Sequence, residues 1–110
     1  MIYKFKSKAT SDLIMLQANG ESMLKLIKKG DASQLRQGIL LAEDMPQAIA
    51  SLQAAVELEE RLRAEQVRLA QEEGRLPPAA PAVSLRQRSA PFIQMLQRCM
   101  AANEEVVWGV

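Results

Sequence analysis

Apolar and polar residues alternate along Ile2-Tyr3-Lys4-Phe5-Lys6-Ser7, with Tyr3, Phe5 and Ser7 on one side and Ile2, Lys4 and Lys6 on the other. A period of two predicts a strand with one wet face. The apolar run in Asp12-Leu13-Ile14-Met15-Leu16-Gln17 follows a short polar connection, Lys8 to Ser11, so the two segments predict a hairpin. Leu13 and Met15 make one face of the second strand apolar, and Ile14 and Leu16 the other. That predicts cover on both sides or a central place in a sheet. Asn19-Gly20 reads as the end of this strand. Glu21 to Lys29 then reads as a short helix with Met23, Leu26 and Ile27 inward, Asn19 as its cap and Gly30 as its stop. Gly38-Ile39-Leu40-Leu41 reads as an apolar loop tucked into the core.

At Asp44-Met45-Pro46 the period changes. Asp is a good helix cap, and Pro fits a first turn, where its missing N–H has no intrahelical partner. Met45, Ile49, Leu52 and Val56 follow at helical spacing as one inward stripe. Past Val56, the pairs Glu57–Arg61, Glu59–Arg63 and Arg68–Glu72 stand four apart, and only Leu58, Leu62 and Leu69 keep a thin apolar seam. This half is expected to leave the body of the domain or to form one arm of a helical hairpin. Pro77, Pro78 and Pro81 forbid helix in residues 74–82, which read as a mobile loop within a single domain spanning residues 1–110.

Ser84 and Gln87 stand at capping-box spacing and open a last helix. Pro91 is expected to kink that helix or to begin another, capped by Ser89. Phe92, Met95, Leu96, Cys99 and Met100 form its inward stripe, and Asn103 ends it. The chain closes on Val106-Val107-Trp108-Gly109-Val110, a poor solute unless paired. As a strand beside the first, it places Val106, Trp108 and Val110 with Tyr3 and Phe5 beneath the helices. The prediction is an α+β fold: a small antiparallel sheet of about three strands, the N-terminal hairpin plus the C-terminal strand, with helices packed on one face. Such an arrangement leaves the other apolar face of the second strand bare. It therefore predicts a homo-oligomer, a dimer first, through that face or the Glu/Arg-laced helical arm.

Composition sharpens this picture. Hydrophobic residues make up 48% of the 110 residues and aromatics 4%, so Leu, Ile, Val, Met and Ala must fill the core. The six Met read as core filling. Net charge is +1, which argues against general polyanion binding, but the charges are unevenly spread. Residues 1–36 carry seven Lys/Arg against three acids, and residues 43–73 carry eight acids against three Arg. The lone Cys99 can form no intrachain disulfide, which fits a reducing cytoplasm. No stretch approaches the roughly 20 apolar residues that span a bilayer, so no membrane association is expected.

Candidate chemistry is sparse. The chain has no His, which removes the commonest general base, the Ser-His and Cys-His pairs and most zinc and haem sites. Cys99 reads as a small buried hydrophobe, because Arg98, its neighbour along a helix, points elsewhere. Glu57, Glu59, Glu60, Glu65, Glu72 and Glu73 interleave with Arg and read as a solvated helix face. Lys4 and Lys6 lie opposite Tyr3 and Phe5, whereas nucleic-acid readout by a sheet needs cations and aromatics on one face. Lys4, Lys6 and Lys8 read instead as guards of an edge strand. No catalytic, cofactor-binding or metal-ligating residue is expected, no cofactor, and no nucleic-acid partner.

Several segments together resemble one family. They are Met1 to Lys8, Asp12 to Leu16, Gly38-Ile39-Leu40, Asp44-Met45-Pro46 with Ala48-Ile49, Val83 to Arg88 with Pro91, and Val106 to Val110. The chain is similar end to end, most weakly in residues 57–82, to small and mostly proteobacterial proteins grouped as domain of unknown function 1840. The resemblance implies a bacterial cytoplasmic setting and one full-length domain, and carries no catalytic residue. The function expected is a non-enzymatic protein-interaction module with an unknown protein partner. The alternative is a small-molecule-sensing or carrier domain with a pocket between sheet and helices.

Overall fold

The computed structural model describes residues 2–109, so the inward placement expected for Val110 lies outside the described residues. Strand β1 (Ile2–Ser7) and strand β2 (Thr10–Leu16) form the expected hairpin, with Ile2 opposite Leu16 and Phe5 opposite Leu13. Helix α1 (Gln17–Leu26) follows without a break. It begins four residues before Glu21 and runs through Asn19-Gly20, so these two neither end β2 nor cap the helix. Packing overrides the turn signal here: a Cβ on Gly20 would lie 2.6 Å from the Tyr3 ring, and glycine lets the helix lie on β1. α1 stops before Gly30. Lys28 takes a left-handed conformation (φ 65°), and the Lys29 N–H donates to the Leu24 carbonyl at 2.7 Å, satisfying the last turn. Met23, Leu24 and Ile27 are buried by this helix.

Helix α2 (Ala32–Arg36) and strand β3 (Gly38–Leu40) replace the loop expected around residues 38–41. Leu40 enters the core, but Ile39 and Leu41 face outward. The sheet therefore has four antiparallel strands, in the order β2-β1-β4-β3, with β4 (Val106–Trp108) between β1 and β3. Trp108 stands opposite Phe5 on one side and Gly38 on the other, so the last strand is interior, paired along both edges. β2 is an edge strand, contrary to the central placement its two apolar faces predict. β1 lies inside the sheet, so its lysines guard no edge.

After a turn of 3-10 helix (Ala42–Asp44), helix α3 runs from Met45 to Glu72, about 42 Å at 1.5 Å per residue. Met45, Ile49, Leu52 and Val56 are buried as one stripe. Helix α4 (Leu85–Ala102) returns antiparallel to it. The capping box is formed, with the Gln87 N–H donating to Ser84 Oγ at 3.1 Å and Gln87 Oε1 accepting from the Ser84 N–H at 3.0 Å. Pro91 neither ends α4 nor begins a new helix. Ser89 is no cap: it is buried in the first turns, and its hydroxyl donates to the Leu85 carbonyl at 2.7 Å. Phe92, Met95, Leu96 and Cys99 face the core, while Met100 turns out to solvent, against expectation. Asn103 closes the helix in the left-handed region (φ 55°), a conformation Asn tolerates.

The core lies between the sheet and α1, α3 and α4. Phe5 sits at its centre, its ring 4.9 Å from that of Phe92 and 5.8 Å, edge-on, from that of Trp108. Aromatic pairs at these separations add about 0.5–1.5 kcal/mol each beyond their burial. Trp108 Nε1 donates to the Gln34 carbonyl at 2.6 Å, so the one polar atom of its ring is satisfied where water is excluded.

Candidate functional site

Alternation along the strands sends Tyr3, Phe5, Leu13, Met15, Leu40, Val106 and Trp108 inward. The same alternation sends Ile2, Lys4, Lys6, Asp12, Ile14, Leu16, Ile39 and Val107 to the other face. No element covers that face among the described residues. Ile2 is 55% exposed, Ile14 56%, Leu16 74% and Ile39 45%. The register brings three of them together: Ile2 opposes Leu16, and Ile14 opposes Lys4. Lys4 thus stands in the middle of an apolar patch. Lys6, opposite Val107 and Ile39 in the next rows, lines a shallow groove with Glu105 and Lys8. Neither Lys4 nor Lys6 is in an ion pair among the described residues.

A second apolar surface lies on the far half of α3. The Leu85 N–H donates to Glu59 Oε1 at 3.1 Å, and Arg86 holds Glu60 through two bonds at 2.7 and 2.8 Å. Helix α4 therefore begins beside residues 59–60, and the rest of α3 projects past it as an arm. The Pro-rich segment folds back along one side of the arm. Arg63 donates to the Pro78 carbonyl, while the Arg75 N–H caps α3 itself, donating to the Ala70 carbonyl at 2.9 Å past the left-handed Gly74 (φ 68°). Ala70 is buried, whereas Leu58 and Leu62 are about half exposed, with Leu69 at 38%. Of the expected pairs only Arg68–Glu72 forms, at 2.8 Å, with Arg68 also held by Glu65. Glu59 is taken by the cap of α4 and Arg63 by the loop, contacts that local spacing does not reveal.

Between the sheet and the helices, Phe5, Leu52, Phe92, Leu96 and Trp108 are fully buried against one another. A groove of about 480 Å³ opens at the surface where β1 faces α1 and α2, lined by Tyr3, Lys4, Lys6, Glu21 and Arg36 among others. Burial, and then the nearby Glu21 carboxylate, push the Tyr3 hydroxyl above its ordinary value, so it stays protonated. A second groove of about 440 Å³ runs between α3 and α4 beside Val56, Arg86 and Ser89.

Cys99 is fully buried on the inner face of α4, its Sγ 3.1 Å from Ser7 Oγ. That is the setting of a small core residue. Among the described residues, no three His, Cys, Asp or Glu side chains gather as a metal site, and no helix is long and apolar enough to cross a membrane. Sequence patterning found Ile14, Leu16 and the leucine seam of the arm. It missed Ile39, because three residues are too few to display a period.

A family model described as "Domain of unknown function (DUF1840)" matches residues 1–108. No curated protein and no solved structure matches the chain.

Proposed function

This chain belongs to the DUF1840 domain family, and on that premise we propose that it is a non-enzymatic module of the bacterial cytoplasm that works through protein contacts. Its contact surface is the uncovered face of the sheet. The observation that carries this reading is the row of Ile2, Ile14 and Leu16, each more than half exposed on one face with no layer over it. Contiguous apolar surface of this kind marks an interaction site more often than a solvated one. The absence of His from the sequence supports a role that needs no general base.

The test uses Ile14→Glu, which stands opposite Lys4, together with Leu16→Thr. Both side chains point away from the core, so the melting midpoint is expected to stay within about 4 °C of the parent, an effect of about 0.5 kcal/mol. Parent and variant are then used as baits in an extract of the native cell. Proteins held by the parent and lost from the variant support the reading. An identical set on both baits, or none on the parent, overturns it.

A further inference from the structure

We propose that the occupant of the bare sheet face is the arm of a second copy of this chain, the two copies exchanging arms about a two-fold axis. The inference rests on the sheet-face reading above and names its partner. Leu58, Leu62, Glu65, Leu69 and Glu72 recur at spacings of four, three, four and three, so they line one stripe of α3. All five are exposed. The stripe is therefore apolar with carboxylates at its centre and tip. The sheet face has the converse pattern, with Ile2, Ile14 and Leu16 surrounding Lys4 and with Lys6 beside them.

Charge decides among the ways two copies can meet. Pairing sheet with sheet about a two-fold axis through the apolar patch sets Lys4 against the other Lys4. Pairing arm with arm antiparallel, about the middle of the leucine stripe, sets Glu65 against the other Glu65. Like charges brought together in a desolvated interface disfavour both arrangements. Arm on sheet sets leucines against Ile2, Ile14 and Leu16, and carboxylates against lysines. The opposing charges are available. Arg68 is shared by Glu65 and Glu72, which leaves one negative charge uncompensated, and Lys4 and Lys6 are unpaired among the described residues. Arg36 adds a third cation on the groove that Lys4 and Lys6 line, against Glu21 there, while Asp12, Glu105 and Lys8 lie toward the other end of the face. The two-fold exchange repeats the contact, closes the assembly and leaves neither apolar surface wet.

The purified full-length chain carries the test. Sedimentation is expected to give the mass of a dimer at about 100 µM. Lys4→Glu/Lys6→Glu alone and Glu65→Lys/Glu72→Lys alone are each expected to weaken self-association at least about tenfold. Their equimolar mixture is expected to regain a dimer holding one copy of each, because both interfaces are then complementary. A monomeric parent, or a mixture that stays monomeric, overturns the inference. So does a dimer that survives the sheet substitutions, which would mean arm on arm, or one that survives the arm substitutions, which would mean sheet on sheet. Circular dichroism melts of both variants, expected to match the parent at a dilution where the parent too is monomeric, separate lost association from lost folding. A monomeric parent whose captured proteins still depend on Ile14 and Leu16 would leave the sheet-face reading standing and remove only the second copy.

Discussion

A methyl group at Gly38 would lie 2.5 Å from Cζ2 of Trp108, inside the ring's contact radius. Trp108 cannot retreat: it is fully buried, tied through Nε1 to the Gln34 carbonyl, and stacked edge-on against Phe5. Gly38→Ala is therefore expected to cost about 1–3 kcal/mol, the usual penalty of overpacking. It should read as a lower denaturation midpoint in urea with an unchanged slope. A stability equal to the parent's would mean that the indole is free to shift. The same logic explains Gly20, where the neighbour is the Tyr3 ring. Both glycines sit at places where backbone must approach an aromatic side chain, and that requirement is long-range. The sequence shows a glycine next to a polar residue and suggests a turn. Only the fold shows the ring.

Elements held together by polar contacts across the chain behave differently from those held by patterning. The seam between α3 and α4 is tied at its open end by Arg86 and Glu60, whose bonds hold the Glu60 carboxyl below its ordinary value. The folded value is thus lower than the unfolded one. This stabilisation is present above the unfolded carboxylate range and is lost as pH falls through the folded value. The pair is exposed, so the clearer readout is the titration itself. Carbon-detected NMR should place the Glu60 midpoint below 4.5, and Arg86→Gln should return it toward that ordinary value. A midpoint that Arg86→Gln leaves in place would assign the shift elsewhere. Elements were legible where their cause is local. The hairpin follows from period-two alternation, the start of α4 from Ser84 and Gln87, and the end of α4 from Asn103. Elements were illegible where the cause is tertiary. β3 is only three residues long, so its identity depends on Val106–Trp108 alongside. The two apolar faces of β2 suggest double cover because a sequence does not distinguish a side chain buried in the core from one left open for contact.

The whole molecule measures 52 × 29 × 23 Å, with a radius of gyration of 16.1 Å against about 13 Å expected for a compact chain of this length. The projecting end of α3 and the loop that returns along it supply an elongation that the core does not need. Beyond Val56, Ala70 is the one residue of α3 that is buried, and a single methyl contributes only about 0.8 kcal/mol. Leu58, Leu62 and Leu69 spend their apolar surface on solvent. A helix kept long for folding would place such residues inward. The arm-exchange proposal requires them outward, where Leu58, Leu62 and Leu69 stand. Excising residues 62–83 and joining Arg61 to Ser84 through three Gly/Ser residues separates the two requirements. The shortened loop lowers closure entropy, and the core cluster keeps Phe5, Leu52, Phe92, Leu96 and Trp108. The shortened chain is expected to melt cooperatively near the parent midpoint, with a scattering radius of about 12 Å for the monomer. On the arm-exchange inference it also loses self-association, because its sheet face meets no arm. Loss of the cooperative melt would place the arm within the folding unit. Retained self-association by a folded, armless chain would assign the sheet face a different occupant.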